Sequence, residues 1–289
     1  MKNTTFGNRW MHRTLVRTLR WMDVRWLYAL TSVVIIPICL LLNTNKSRTI
    51  AYRYFRKRQG CGRLHAAWAT YANHCLFAQV VVDRFSMFAG KRFNVKIEGY
   101  EKFLELAGKE DAFMMFSSHV GCYEVAGYQL VAEKKRFNAL VFGGEKATVM
   151  EGRRERLDRN NISMIPVKPD MSHLFLVNQA LANNEIVSMP ADRIVGPGKT
   201  TQAEFFGSTA KLPLGPFSVA TMRGLDVLSV NVMKTSLKGY TVYLTSLEYD
   251  KNAPRKVQIK QLAQSFATEL EKRVRQYPTQ WYNFYDFWA

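Results

Sequence analysis

Residues 113–124 read FMMFSSHVGCYE, and this stretch decides the predicted fold. It begins with Phe113–Ser117, an apolar run that is short enough for a strand and shows no polar alternation. Such a run is typical of a strand buried on both faces of a sheet. The sequence then becomes polar and glycine-containing, and a helical stretch begins at Tyr123. A strand, a turn and a helix in succession predict an α/β fold.

The same alternation of short apolar runs with longer helical stretches continues from about residue 64 to the C-terminus, without an internal repeat. We therefore predict an α/β domain with a mixed central sheet flanked by helices. Strands are expected near Val95–Glu98, Phe113–Ser117, Ala139–Phe142, Ser163–Val167, Ile186–Met189, Val227–Met233 and Tyr240–Leu247. Helices are expected near Leu64–Phe88, Tyr123–Lys134, Met171–Ala182 and Lys260–Tyr277.

The composition is that of a folded and strongly basic chain. Of its 289 residues, 47% are hydrophobic and 13% aromatic, which excludes a disordered tail and a disulfide-stapled miniprotein. Its four cysteines lack paired spacing, so a disulfide framework and a C-x-x-C metal site are also excluded. The net charge is +18, and it is concentrated near the N-terminus. This asymmetry indicates an anionic partner and divides the chain into a basic segment, 1–63, and an α/β domain, 64–289.

The N-terminal segment has the features of a membrane anchor. On a helical projection of the first 26 residues, arginines cluster on one side and apolar residues on the other. Residues 26–45 then carry no charge, and the length of this segment is close to that of a helix that crosses a bilayer, ~20 residues. A crossing helix and a monotopic or re-entrant anchor both fit, because Pro37 is expected to kink the helix and basic residues flank both ends. An amphipathic helix docked on the protein core is the alternative, whereas a signal peptide fits poorly.

The segment Ser118–Glu124 carries the predicted chemistry. Its His119 and Glu124 are five residues apart, which on one continuous helix would place them about 140° apart. At a junction of strand, turn and helix they can meet, with Glu124 bonding one imidazole nitrogen and leaving the other free as a base. Such a base can deprotonate a hydroxyl and direct it at an activated acyl carbon. The alternative is a histidine that only caps a helix or closes a hydrogen bond in the core.

Further blocks agree in order with a known family. They are the apolar anchor, Arg153-Arg154-Glu155-Arg156, Pro190-Ala191-Asp192-Arg193, Phe205-Phe206-Gly207, Leu212-Pro213-Leu214-Gly215-Pro216 and Pro278-Thr279-Gln280-Trp281. With His119 and Glu124, they resemble the bacterial lipid A late acyltransferases, within the wider group of His-x4-Asp/Glu membrane acyltransferases. The resemblance implies a glycerolipid acyltransferase-like fold and an O-acyltransferase on the cytoplasmic face of the bacterial inner membrane. It also implies acyl carrier protein as the donor, a lipid A precursor or a related lipid as the acceptor, and no cofactor or metal.

The resemblance also assigns roles to individual residues. It makes His119 the general base and Glu124 its orienting partner. Both substrates are anionic, so Arg154 and Arg193 are expected to recognise phosphate or carboxylate groups, which a guanidinium fork suits. Asp192 is expected to hold Arg193 in place or to position the acceptor.

Other kinds of site find little support. There is no Gly-x-Ser-x-Gly nucleophile elbow and no His-Glu-x-x-His zinc helix, and Gly198-Lys199-Thr200 lacks the first glycine of a phosphate loop. Cys122 is not expected to carry the acyl group, because transfer from a thioester needs no covalent enzyme intermediate. Phe205-Phe206-Gly207 either lines an acyl channel or packs in the core at a turn.

Two alternatives to this function stay open. The acceptor could be a different lipid, such as a polyene pigment or a lysophospholipid. The chain could also be a non-enzymatic membrane adaptor that binds anionic lipid through its basic N-terminal helix. Nucleic-acid binding is disfavoured, because the charge lies beside an apolar anchor and on no recognisable nucleic-acid-binding module.

Overall fold

The computed structural model describes residues 14, 17–43, 46–130, 132, 134–142, 161–168, 170–194, 198–285 and 287–288. Its helices are α1 (Val24–Leu30), α2 (Ile36–Leu42), α3 (Ser47–Lys57), α4 (Arg63–Phe88), α5 (Tyr100–Gly108), α6 (Tyr123–Gln129), α7 (Ser172–Ala182), α8 (Leu214–Met222) and α9 (Arg255–Gln276). Its strands are β1 (Asn94–Glu98), β2 (Phe113–Gly121), β3 (Phe137–Phe142), β4 (Ile162–Val167), β5 (Ile186–Pro190), β6 (Thr200–Phe205), β7 (Ser208–Pro213), β8 (Asp226–Ser236) and β9 (Gly239–Ser246).

A mixed sheet of seven strands forms the centre of the molecule. The strand order is β1-β9-β8-β2-β5-β3-β4. Strands β8, β2, β5, β3 and β4 run parallel, and β9 is antiparallel to β8 and parallel to β1. Parallel strands require helical crossovers, which cover both faces of the sheet and account for its uninterrupted apolar runs. The carboxyl ends of the five parallel strands therefore lie at one edge of the sheet.

Strand β2 shows how the sequence divides the core into two faces. Successive side chains of a strand point to opposite sides of the sheet. Met114 and Phe116 lie in one buried cluster, which is shared with α8 and α9. Phe113 and Met115 lie in the other, which is shared with α5 and α6. Each of these four side chains is at most 1% exposed, so β2 is the central strand that its sequence predicts.

The predicted fold class is confirmed, and the seven predicted strands are the seven strands of the sheet. The hairpin β6–β7 was not predicted. It closes through a two-residue turn at Phe206 and Gly207, which both have positive φ, as type I′ turns require. The helix predicted over Tyr123–Lys134 ends at Gln129, and Gly127 within it lowers its helix propensity. Helices α3, α5 and α8 were also not predicted.

The apolar N-terminal segment is one long helix that is interrupted near its middle. Val24–Leu42 is a candidate membrane segment by length and composition. A π-helical turn, Thr31–Ile35, separates α1 from α2. This is the turn that precedes Pro37, which has no N–H to bond a carbonyl four residues back, and widened turns are a known relief for such a gap. Trp26, Val33 and Leu41 are each more than 70% exposed, so an apolar surface faces outward.

A buried ionic cluster joins this segment to the sheet. Asp83 of α4 is fully buried and accepts hydrogen bonds from the hydroxyls of Tyr28 and Tyr240 and from the Lys234 ammonium. Lys234 also donates to the carbonyl of Leu237, at 3.1 Å. These contacts cross the predicted boundary between residues 63 and 64, because Tyr28 belongs to α1.

Candidate active site

His119 lies in a bulge at the end of β2. Ser117 pairs with Val230 of β8, and Gly121 pairs with Val232, so four residues of β2 advance against two of β8. The strand was expected to end at Ser117, but it continues irregularly to Gly121 and carries His119 within it. Bulges are known to redirect side chains at the margins of sheets. Gly121 permits this one, because its φ is +50° and a Cβ atom there would lie 1.7 Å from the carbonyl oxygen of Val232.

Gly121→Ala is therefore expected to destroy the bulge. The left-handed backbone alone costs a residue with a Cβ about 1–3 kcal/mol, and the contact with the rigid strand backbone adds to that cost. We expect a lower unfolding midpoint and a loss of acyl transfer. Gly108→Ala is the matched control, because a Cβ at Gly108 meets no atom within 4 Å. Equal unfolding midpoints for the two variants would contradict this account of the bulge.

The imidazole of His119 is held by Asp192. One carboxylate oxygen, Oδ1, lies 2.8 Å from Nδ1 of His119, and the other, Oδ2, accepts the backbone N–H of His119 at 2.8 Å. Asp192 follows β5, whose Pro190 pairs with Ser117 of β2. His119 and Asp192 thus each lie two positions beyond one member of this pair, at the carboxyl edge of the parallel strands. The His119 side chain is 29% exposed, and Nε2 has no hydrogen-bond partner among the described residues.

The surroundings of the Asp192 carboxyl favour its ionised form. Burial alone would raise the pKa of its carboxyl. The charge of His119, the hydrogen bonds from its ring and backbone, and the charge of Arg193 outweigh burial and hold the pKa of Asp192 below its usual value. A buried carboxylate on Nδ1 keeps the proton on that nitrogen and stabilises a positive charge on the ring. Nε2 is then the nitrogen available to accept a proton.

Glu124 is placed differently from the sequence-based prediction. We expected its carboxylate to bond the imidazole, but Asp192 occupies Nδ1 of His119. Glu124 Oε2 instead lies 3.0 Å from Nε of Arg84 on α4. The reason is the bulge, which keeps His119 in the sheet while Glu124 turns away on the first turn of α6. Neither Arg84 nor the contact between Asp192 and the histidine is among the features predicted from the sequence.

The two arginines expected to bind anions differ in what can be described. Arg154 lies outside the described residues. Arg193 follows Asp192 directly, and its guanidinium donates to the backbone carbonyl of Tyr282. The guanidinium carbon also lies 5.9 Å from the ring centroid of Tyr285. Its other N–H groups leave capacity to bind an anion.

Two further candidates have structural roles. Cys122 is 3% exposed, and burial, followed by the charge of Glu124, raises the pKa of its thiol well above the usual value. A thiol held protonated is a poor nucleophile. Phe205 and Phe206 are buried at the turn between β6 and β7, where Phe205 packs on Trp281 and Trp288. Of the two alternatives for this pair, core packing at a turn is the one observed.

No group of three or more His, Cys, Asp or Glu side chains within the described part of the chain could hold a metal ion. The geometry described above is that of a base, a buried carboxylate and a neighbouring guanidinium. This arrangement can move a proton and stabilise negative charge.

Comparison with known proteins adds independent information. The family model described as bacterial lipid A biosynthesis acyltransferase matches residues 79–289, which include His119, Glu124, Asp192 and Arg193. No curated protein matches the chain. Among solved structures, the chain is similar to the crystal structure of the 1-acyl-sn-glycerophosphate acyltransferase PlsC from Thermotoga maritima, with 15% identity and a TM-score of 0.39. That similarity covers 94% of this chain and 98% of PlsC.

Proposed function

The chain belongs to the bacterial lipid A biosynthesis acyltransferase family, and we propose that it transfers a fatty acyl chain from acyl carrier protein to a hydroxyl of a lipid acceptor. Family membership establishes an acyltransferase for lipid-type substrates. The donor, the acceptor and the residue roles are our proposal. The observation that carries it is the His119–Asp192 pair, in which a buried carboxylate holds an accessible imidazole.

His119 acts as the general base. Its Nε2 takes the proton from the acceptor hydroxyl while the oxygen attacks the thioester carbonyl. The tetrahedral intermediate collapses, the carbon–sulfur bond breaks, and the imidazolium returns the proton to the departing thiolate of the carrier. Asp192 fixes the tautomer and stabilises the imidazolium in between. Proton and acyl transfer balance without a cofactor.

Glu124 supports this site from α6. Its carboxylate, paired with Arg84, ties the first turn of α6 to α4 beside the bulge that carries His119. We assign it a positioning role, in place of direct contact with Nδ1. The pair is mostly buried, with side chains 22% and 8% exposed for Arg84 and Glu124, so removing one partner is expected to disturb the site.

The arginines recognise the anionic parts of the substrates. Arg193 stands next to Asp192 and presents guanidinium N–H groups beside the His119–Asp192 pair. Arg154 completes the set in our proposal. A planar fork of donors suits the phosphate of phosphopantetheine on the donor and the phosphate of an acidic lipid. The tetrahedral oxyanion is stabilised by the same kind of donor, an arginine or a backbone N–H.

We place the enzyme at the cytoplasmic face of the inner membrane. The exposed apolar face of Val24–Leu42 enters the acyl region, and the basic residues on either side of it contact anionic headgroups. This position gives the site access to a soluble acyl carrier and to a lipid acceptor at once.

The proposal is tested by product identification. The full-length protein in vesicles made from bacterial inner-membrane lipid is given one labelled fatty acid, either on acyl carrier protein or on coenzyme A. Heat-denatured protein is the blank. We expect label in a lipid only with the carrier-protein donor, and the mass of that lipid identifies acceptor and chain. Transfer from acyl coenzyme A alone would overturn the proposal that acyl carrier protein is the donor. No transfer from either donor by folded, vesicle-bound protein would favour the membrane adaptor.

A further inference from the structure

The described residues near the C-terminus lie at the carboxyl edge of the sheet. We define residues 281–285 and 287–288 as the C-terminal strap; they follow a short 3-10 turn, Pro278–Gln280. Trp281 forms an antiparallel bridge with Val120, in the bulge of β2. The backbone N–H of Tyr282 donates to the carbonyl of His119 at 3.1 Å. The strap therefore bonds directly to the backbone of the proposed base.

The strap also contacts the partner of that base. The carbonyl of Tyr282 accepts a hydrogen bond from the guanidinium of Arg193. The hydroxyl of Tyr285 donates to the backbone carbonyl of Asp192 at 3.1 Å. The N–H and the carbonyl of Tyr282 thus connect the backbone of His119 on β2 to the side chain of Arg193 after β5. The hydroxyl of Tyr285 holds the backbone of Asp192, the residue that precedes Arg193.

Both ends of the strap are fastened outside the site. At its start, the side-chain amide of Asn73 on α4 donates to the carbonyls of Thr279, at 2.9 Å, and Trp281, at 3.0 Å. At its end, the indole N–H of Trp288 donates to the carbonyl of Phe205 at 3.2 Å, and the two rings stack at 5.8 Å. A segment fixed at both ends holds what its middle contacts, and here the middle contacts His119, Asp192 and Arg193.

We propose that the C-terminal strap positions the His119–Asp192 pair, with Tyr285 as the positioning residue for Asp192. This inference rests on the proposed function, because it needs the pair to be the catalytic base and its orienting carboxylate. Neither the bulge of β2 that carries His119 nor the segment after β5 that carries Asp192 is regular strand, so regular sheet pairing does not hold the pair. Efficient proton transfer requires the base and its partner to be held to well below about 1 Å. Supporting hydrogen bonds provide that positional precision.

Tyr285→Phe tests the proposal, because it removes one hydroxyl and leaves the ring. The net free energy of an ordinary hydrogen bond corresponds to about a five- to tenfold change in rate. We expect kcat to fall by that factor while KM for the acyl donor stays unchanged.

Tyr249→Phe is the matched control. The hydroxyl of Tyr249 donates to the carbonyl of Leu225 at 2.8 Å, at the opposite edge of the sheet, where β8 begins. This variant loses the same kind of bond, so its unfolding midpoint is expected to fall as much as that of Tyr285→Phe, with kcat and KM unchanged. Identical kinetics in the two variants would overturn the strap proposal. Full activity of His119→Ala would overturn the proposed function itself, which is a separate result.

Discussion

Replacing His119 with alanine is expected to lower the rate of acyl transfer by about 10²–10⁴-fold, the range that a positioned general base contributes. The His119 side chain is 29% exposed, so its removal leaves no closed cavity, but the buried Asp192 carboxylate loses the ring's hydrogen bond and the unfolding midpoint is expected to fall modestly. The measurement is single-turnover transfer from labelled acyl carrier protein into vesicle lipid. His65→Ala is the control, because His65 is exposed on α4 and should leave the rate unchanged. Wild-type turnover in His119→Ala would contradict the mechanism.

Asp192→Asn separates the two carboxylates that could serve this base. Asparagine can turn its amide nitrogen toward Nδ1 and favour the wrong tautomer, which costs ~10⁴-fold in a Ser-His-Asp triad. We expect the single-turnover rate of Asp192→Asn to fall toward that size. Glu124→Gln is expected to weaken the pair with Arg84, which lowers the unfolding midpoint and reduces the rate far less than Asp192→Asn does. The reverse pattern would return the orienting role to Glu124.

The site illustrates which parts of an active site a sequence reveals. His119 was a candidate because it follows an apolar run that predicts a buried strand, and Asp192 was a candidate through the family resemblance of Pro190-Ala191-Asp192-Arg193. Their contact was missed because it depends on β2 and β5 being neighbours in the sheet, and His119 and Asp192 are 73 positions apart in the sequence. The spacing of five between His119 and Glu124 suggested a pair, but a two-residue bulge changed the direction of the histidine.

The fold was predictable wherever burial dominates the sequence. Strand β2 is buried on both faces, so its continuous apolar run predicts a central strand. The hairpin β6–β7 was not predicted because its buried positions include Thr201, Ala203 and Ala210, which are too polar or too small to show the alternating burial in the sequence. Its turn uses Phe206 at positive φ, a residue type that rarely signals a type I′ turn. Tertiary packing of Phe206 against Tyr54 overrides that local preference.

Asp83→Ala is expected to lower the free energy of unfolding by about 3–5 kcal/mol, the usual cost of removing one partner from a buried ion pair. The substitution leaves the Lys234 ammonium, 4% exposed, without its carboxylate. It also leaves the hydroxyls of Tyr28 and Tyr240 without their shared acceptor. Because these residues come from α1, α4, β8 and β9, the loss is expected to loosen the apolar N-terminal helix as well as the sheet. Urea unfolding in detergent, followed by tryptophan fluorescence, measures it.

The double variant Asp83→Asn/Lys234→Met shows whether unpaired charge is the cause. Asparagine keeps an acceptor for the tyrosine hydroxyls, and methionine fills the lysine's volume without a charge, so more than half of the lost stability is expected to return. Glu98→Ala is the surface control, since Lys96 and Glu98 form an exposed pair whose loss is expected to change stability by less than about 1 kcal/mol. If the double variant is as unstable as Asp83→Ala, the unpaired charge of Lys234 is not the cause of the lost stability. If Asp83→Ala itself behaves like Glu98→Ala, the cluster does not fasten α1 to the sheet.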